Sequence, residues 1–132
     1  MIVVDTNIIA HFWLPSDQSD LCDQLFQKEP HWIAPLLWRS EFRNVVLLYL
    51  RKDLISLSQA MLITEKAESQ MFEREYHVHS NSILELSSRS SCSAYDCEFV
   101  SLAKELNIQL VTLDKQILKD FSGISSHPED FV

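Results

Sequence analysis

Apolar residues come in short bursts between polar breaks, and their spacing alternates between strand-like runs and helical stripes. Ile2-Val3-Val4 reads as a short buried strand. It runs into Asp5-Thr6-Asn7, three residues that favour helix starts. Ile8 to Leu14 is a short apolar helix ended by Pro15. Asp17 to Lys28 has helical spacing at Leu21, Leu25 and Phe26, up to Pro30. Trp32-Ile33-Ala34 is a second strand, closed by Pro35. Leu36 to Arg51 is an amphipathic helix with Trp38, Phe42, Val45, Leu48 and Tyr49 on one stripe. Ser56-x-x-Gln59 is a capping box. It opens a helix running to about Glu75, with Ala60, Ile63, Ala67 and Met71 inward. Tyr76 to His79 reads as a strand, Asn81 to about Ser90 as a helix, and Ala94 to Leu106 as a helix that buries Phe99, Val100 and Ala103. Gln109 to Thr112 is a strand, Asp114 to Asp120 a short helix, and Ile124 to Ser126 a last edge strand.

Strands alternating with helices predict βα units around a parallel sheet. The class is α/β, with a central, mostly parallel sheet of four to five short strands flanked by helices. The 132 residues fit one domain. Ligand sites in open α/β sheets lie at the carboxyl ends of the strands. Two strands here lead into a carboxylate, Asp5 and Asp114.

Composition narrows the chemistry. Hydrophobic residues are 46% and charged residues 23%, ordinary for a globular protein. There is one glycine, Gly123, so the glycine-rich phosphate loops and the GxSxG elbow are excluded, and no nucleotide cofactor is expected. Three cysteines without a CxxC pair, Cys22, Cys92 and Cys97, read as reduced thiols in a cytoplasmic protein, two of them filling the core. The longest purely apolar run, Val45 to Leu50, is far short of the ~20 residues that span a bilayer. Asp5 interrupts the first apolar run and no basic segment precedes it, so a signal peptide is not expected. A net charge of -8 gives no bulk attraction for nucleic acid; contact with a polyanion needs a local basic patch or metal ions.

Asp5, Asp114 and Asp96 each have a plain reading as helix caps, Asp96 as the partner of Ser93 in Ser-x-x-Asp. Glu41 is harder to explain that way. Its helix-face neighbours Trp38, Val45 and Leu48 are apolar, whereas Arg39 and Arg43 point elsewhere. The alternative is that Glu41 sits at the edge of the stripe and reaches water. Asp96 shares its face with Phe99, Val100 and Ala103. If the four acids converge, their mutual repulsion calls for a divalent cation, and an all-oxygen donor set suits Mg²⁺ or Mn²⁺. One or two such ions can bind a phosphodiester and activate water.

The motifs Val4-Asp5-Thr6-Asn7, Glu41, Ala94-Tyr95-Asp96 with Leu102-Ala103, and Val111-Thr112-Leu113-Asp114 resemble those of PIN-domain ribonucleases, above all the small VapC-type toxins of type II toxin–antitoxin pairs. The resemblance spans nearly the whole chain and implies a single PIN-like domain over residues 1–132. It implies a Mg²⁺- or Mn²⁺-dependent endoribonuclease acting on RNA phosphodiesters. Asp5, Glu41, Asp96 and Asp114 would be the catalytic and metal-binding residues, with Asn7 and Thr112 orienting ligands or water behind them. Thr6 matches too, beside its ordinary role at a helix start. Homodimerisation and a cognate antitoxin that blocks the site are also implied. Some relatives carry a further acid soon after the last motif aspartate; here Lys115, Gln116 and Ile117 follow. The candidate RNA contacts are Arg39, Arg43, Lys115 and Lys119.

Other features have ordinary explanations. His77-x-His79 would share a strand face, but no further ligand completes a zinc set. Phe12, Trp13 and Trp38 serve core packing or a partner surface. The competing functions are a non-catalytic PIN-like module that dimerises or binds an antitoxin-like peptide, and a phosphatase or receiver domain. The last two lack their patterns: Asn7 stands where such a phosphatase has an aspartate, and a receiver would need an acidic pair before its phosphorylated aspartate and a lysine late in the sheet.

Overall fold

The computed structural model describes all 132 residues, Met1–Val132. Strand β1 (Ile2–Val4) lies at the centre of a five-stranded sheet, and every strand pairing is parallel. After it come α1 (Thr6–Trp13), α2 (Ser19–Lys28) and β2 (Trp32–Pro35), then α3 (Trp38–Arg51) and α4 (Leu57–Gln70). The second half holds β3 (Glu75–Tyr76), α5 (Ser80–Ser88), α6 (Ala94–Leu106), β4 (Leu110–Val111), α7 (Lys115–Asp120), β5 (Ser125–Ser126) and α8 (Pro128–Phe131). The strand order is β3-β2-β1-β4-β5. The winding therefore reverses between β1 and β4, which places the ends of these two strands at the switch point of the sheet.

The three residues of β1 are almost fully excluded from solvent, as expected for a strand covered on both faces. Helix α6 packs across β1, β2 and β4, and α5 packs on α6; α1 to α4 pack on one another as a second helical group. One core cluster of 29 buried residues joins both groups to the sheet, with Trp32, Trp38, Phe42 and Phe99 among its largest members. The edge strands β3 and β5 are two residues long and contain Glu75 and paired serines, a composition that discourages pairing with other chains.

Both capping boxes read from the sequence are formed, Ser56 with Gln59 and Ser93 with Asp96. Four expectations are corrected. Helix α4 ends at Gln70, because the chain turns through Met71–Glu73 with Glu73 at φ 64°, outside the helical region. The third strand is Glu75–Tyr76, so His77 and His79 share no strand face; both are exposed, and His79 is the residue preceding α5. Leu48, assigned to the inward stripe of α3, is 48% exposed; the buried line is Trp38, Phe42 and Val46. All three cysteines are buried, not two. Helix α8 is an addition, with Pro128 at its first position and His127 Nδ1 accepting the Glu129 N–H.

The single glycine is not needed for backbone freedom: Gly123 has no positive φ, and a Cβ there would meet nothing within 4 Å. Gly123→Ala is expected to raise stability by about 0.4–1 kcal/mol in urea unfolding, through the unfolded chain. Phe99→Ala, in the fully packed α6 face, is expected to cost about 3–5 kcal/mol in the same assay.

Candidate active site

Strand β1 ends on Asp5, which serves as the N-cap of α1. Its Oδ1 accepts the Thr6 N–H at 2.7 Å. Its Oδ2 accepts the Thr112 hydroxyl at 2.7 Å and the Asn7 Nδ2 at 3.3 Å. Thr112 follows β4 directly, so this bond closes the switch point between the two strands. Asp5 is 7% exposed and Thr112 is fully buried. The Thr112 hydroxyl also accepts the Asp114 N–H at 3.0 Å, and Asn7 Oδ1 accepts the Leu113 N–H at 3.3 Å. Asp5, Asn7, Thr112 and the backbone before Asp114 thus form one connected network.

The other three acids also stand at helix starts. Asp114 is the N-cap of α7, its Oδ1 accepting the N–H groups of Gln116 and Ile117. Asp96 sits three residues into α6, and its Oδ2 accepts the Ser93 N–H at 3.4 Å. Glu41 lies in the first turn of α3, where its Oε1 accepts the Thr6 hydroxyl at 2.7 Å. The capping roles are therefore real, and they leave Glu41 Oε2, Asp96 Oδ1 and Asp114 Oδ2 without any hydrogen bond from the protein. Glu41 is half-buried at the edge of its stripe, between the two alternatives its sequence left open.

Burial pushes the Asp5 carboxyl up to about 7; the Thr112 and Thr6 hydrogen bonds oppose the shift, and the charges of Glu41 and Asp96 add to it. Glu41 is raised as well, by burial first and by Asp96, against the Thr6 hydrogen bond. Glu98, which the sequence did not single out, is raised by burial and by Glu41. No cation offsets this charge. The ion pairs of the protein join Met1 to Glu29 and Arg39 to Glu68 and Glu75, all elsewhere.

No group of three or more His, Cys, Asp or Glu side chains stands close enough to enclose a metal ion. The donor chemistry nevertheless suits a hard divalent cation. All donors are carboxylate oxygens, Asp5, Glu41 and Asp96 repel one another, and three oxygens are unpaired. Asp114 is linked to Asp5 through Thr112 and takes no part in the charge coupling that raises it.

Among the candidate RNA contacts, Arg39 is committed elsewhere. Its Nε and Nη2 reach Glu75 at 2.6 and 2.8 Å and its Nη1 reaches Glu68 at 3.1 Å, which neutralises its charge. Arg43, Lys115 and Lys119 are exposed, the two lysines on the short helix that Asp114 caps. Thr6 carried only a family match and a helix-start role in the sequence; its contact with Glu41 spans 35 positions and had no local signal.

The profile of the PIN domain matches residues 2–123. The chain belongs to the PIN domain family. Ribonuclease VapC3 of Pyrobaculum aerophilum is 24% identical over 128 residues, covering 93% of this chain and 96% of the relative. The crystal structure of FitAcB from Neisseria gonorrhoeae superposes with a TM-score of 0.77 at 15% identity, over 98% of this chain and 99% of that one. The α/β, all-parallel arrangement is thus that of a PIN domain. Within it, no helix is long and apolar enough to cross a membrane.

The raised carboxyl of Asp5 has a signed consequence for the stability of the PIN domain. A folded value above the unfolded one stabilises the fold at low pH, and that contribution is lost as pH rises from 3.8 to about 7. Stability is expected to fall by up to ~1.4 kcal/mol per pH unit across that window from this group. Urea titrations from pH 4.5 to 7.5 should show the slope, and Asp5→Asn should flatten it.

Proposed function

We propose that this PIN domain is a metal-dependent endoribonuclease, acting in the cytoplasm as the toxin of a type II toxin–antitoxin pair. The observation that carries the reading is the charge coupling of Asp5, Glu41 and Asp96 beside the switch point, with no ion pair to offset it. Their neighbours Thr6, Asn7 and Thr112 are engaged in holding Asp5 and Glu41 in place. A relative bearing the name ribonuclease supports it along nearly the full chain.

Asp5, Glu41, Asp96 and Asp114 would hold one or two Mg²⁺ or Mn²⁺ ions. When bound, the metal supplies Lewis-acid stabilisation of the phosphodiester and lowers the pKa of water. Glu41, anchored through Oε1 by Thr6, presents Oε2 to orient the attacking water and take its proton. Thr112 and Asn7 fix Asp5 from behind, so its oxygens keep one orientation. Lys115 and Lys119 beside Asp114, with Arg43, would engage RNA phosphates. Attack by water gives a 5′-phosphate and a 3′-hydroxyl; a 2′,3′-cyclic phosphate product would contradict this route.

An open apolar groove of about 620 Å³ lies between α1, α2 and α4, lined by Phe12, Trp13, Phe26 and Leu62. At its edge Gln70 Oε1 accepts the Trp13 indole N–H, while Gln70 Nε2 is buried without a partner. Such a surface suits an antitoxin peptide, and a homodimer is part of the same reading. The lack of a closed three-acid cage favours one alternative, a non-catalytic PIN module that dimerises or binds a peptide.

Cleavage of RNA by the purified protein in Mg²⁺, Mn²⁺ and chelator decides between them. The wild type is expected to cut only with metal. Asp96→Asn, which keeps the shape of the cap, should lose at least ~100-fold in rate. Thr6→Val should lose roughly 10- to 100-fold, because Glu41 loses its anchor. A folded wild type that neither cuts RNA nor binds Mn²⁺ in calorimetry would return the acids to a capping role.

A further inference from the structure

Asp120 closes α7, at the end of a helix where a negative charge is disfavoured. Gln116 and Lys119 of α7 itself favour its charged form, but its first partner lies on another element. Its Oδ2 accepts the Ser91 N–H at 2.8 Å and the Cys92 thiol at 3.8 Å, both in the turn that leads into α6. Burial, and then the charges of Asp96, Cys97, Asp120 and Asp114, push the Cys92 thiol up to about 12. The neutral thiol therefore packs among the carboxyls of α6 and α7. The other N–H groups of the turn are bound locally: Cys92 N–H goes to Ser90 Oγ at 3.3 Å and Ser93 N–H to Asp96 Oδ2 at 3.4 Å. Only the Ser91 N–H leaves the turn, and it goes to Asp120.

We infer that Asp120 is a positioning residue for the carboxylate site, clamping the Ser91-Cys92 turn to the end of α7 and so fixing Asp96 relative to Asp114. The two acids stand at the starts of α6 and α7, and neither is joined to the other by a side-chain bond. The clamp supplies that missing connection. Asp120 sits six residues past Asp114, on the far end of the same short helix, and it touches no reacting group. Its part in catalysis rests on the metal-dependent nuclease reading proposed above.

Three measurements on full-length wild type, Asp120→Ala and Asp120→Asn test the clamp. The asparagine keeps an oxygen that can accept the Ser91 N–H. Amide hydrogen exchange needs neither metal nor RNA. Residues 91–97 should exchange about 10-fold faster in Asp120→Ala, with the rest of the chain unchanged and most of the protection kept in Asp120→Asn. Mn²⁺ calorimetry should show affinity about 10-fold weaker for Asp120→Ala and largely restored in Asp120→Asn. Cleavage should show the same loss in kcat with KM for RNA little changed. Glu29→Ala, which removes the remote ion pair to the N-terminus, provides a control away from the clamp that should leave Mn²⁺ affinity intact.

Unchanged exchange in residues 91–97 would overturn the clamp itself. Faster exchange with wild-type Mn²⁺ affinity would overturn its positioning role, as would equal losses of affinity in Glu29→Ala. A wild type that binds no Mn²⁺ overturns the nuclease reading, and the positioning role falls with it even where the exchange result shows the clamp to be present.

Discussion

Four carboxylates at the carboxyl end of a parallel sheet, none of them in an ion pair, is the constraint on which the rest of this structure turns. Helix starts are what make it tolerable. Asp5, Glu41, Asp96 and Asp114 belong to the first turns or caps of four different helices, where unpaired N–H groups and the aligned peptide dipoles favour negative charge. The compensation is incomplete for Asp5, which is the most buried of the four and keeps its carboxyl near 7. Capping and ligand binding are thus not rival explanations of the same residues. One oxygen of Glu41, Asp96 and Asp114 is anchored and the other is free, which is how a fold presents carboxylates in a fixed orientation before any ligand arrives.

The parallel sheet makes this arrangement reachable. Because β1 and β4 are neighbours with the winding reversed between them, the residues following their ends emerge side by side. Thr112 is then within 2.7 Å of Asp5 across 107 positions of sequence. Its hydroxyl donates to one acid and accepts the N–H of another, so a valine at the same place would pack as well and lose both links. Arg39 shows the opposite use of charge. Its guanidinium is spent on Glu75 and Glu68, tying α3 to the edge strand β3 and to α4, on the side of α3 away from Glu41.

Much of this was legible in the sequence where the signal is local. Strand-end carboxylates, both capping boxes and the limits of α6 follow from residue type and spacing alone. The two-residue strands carry almost no periodicity. Glu75-Tyr76 lies with its chain neighbours in a polar stretch, and its strand character comes from pairing with Ala34 and Pro35. The partner of Glu41 was equally out of reach, since the Thr6 hydroxyl meets it only after α1 and α3 have packed together. The inward face assigned to Glu41 was too generous: Leu48 turned outward because α3 buries the Trp38, Phe42, Val46 line, one step around the helix.

The proposed function sets an acidic chain the task of attracting a polyanion. With a net charge of -8, the surface repels RNA, and Lys115, Lys119 and Arg43 are too few to reverse that at a distance. Attraction has to be short-ranged and has to sit at the carboxylates, which is what a bound divalent cation provides under the function proposed above. The raised carboxyl of Asp5 then matters twice. A cation held there as proposed would displace its proton, so its affinity would rise with pH through about 7. Partial protonation of Asp5 near neutral pH also lessens its repulsion of Glu41 and Asp96.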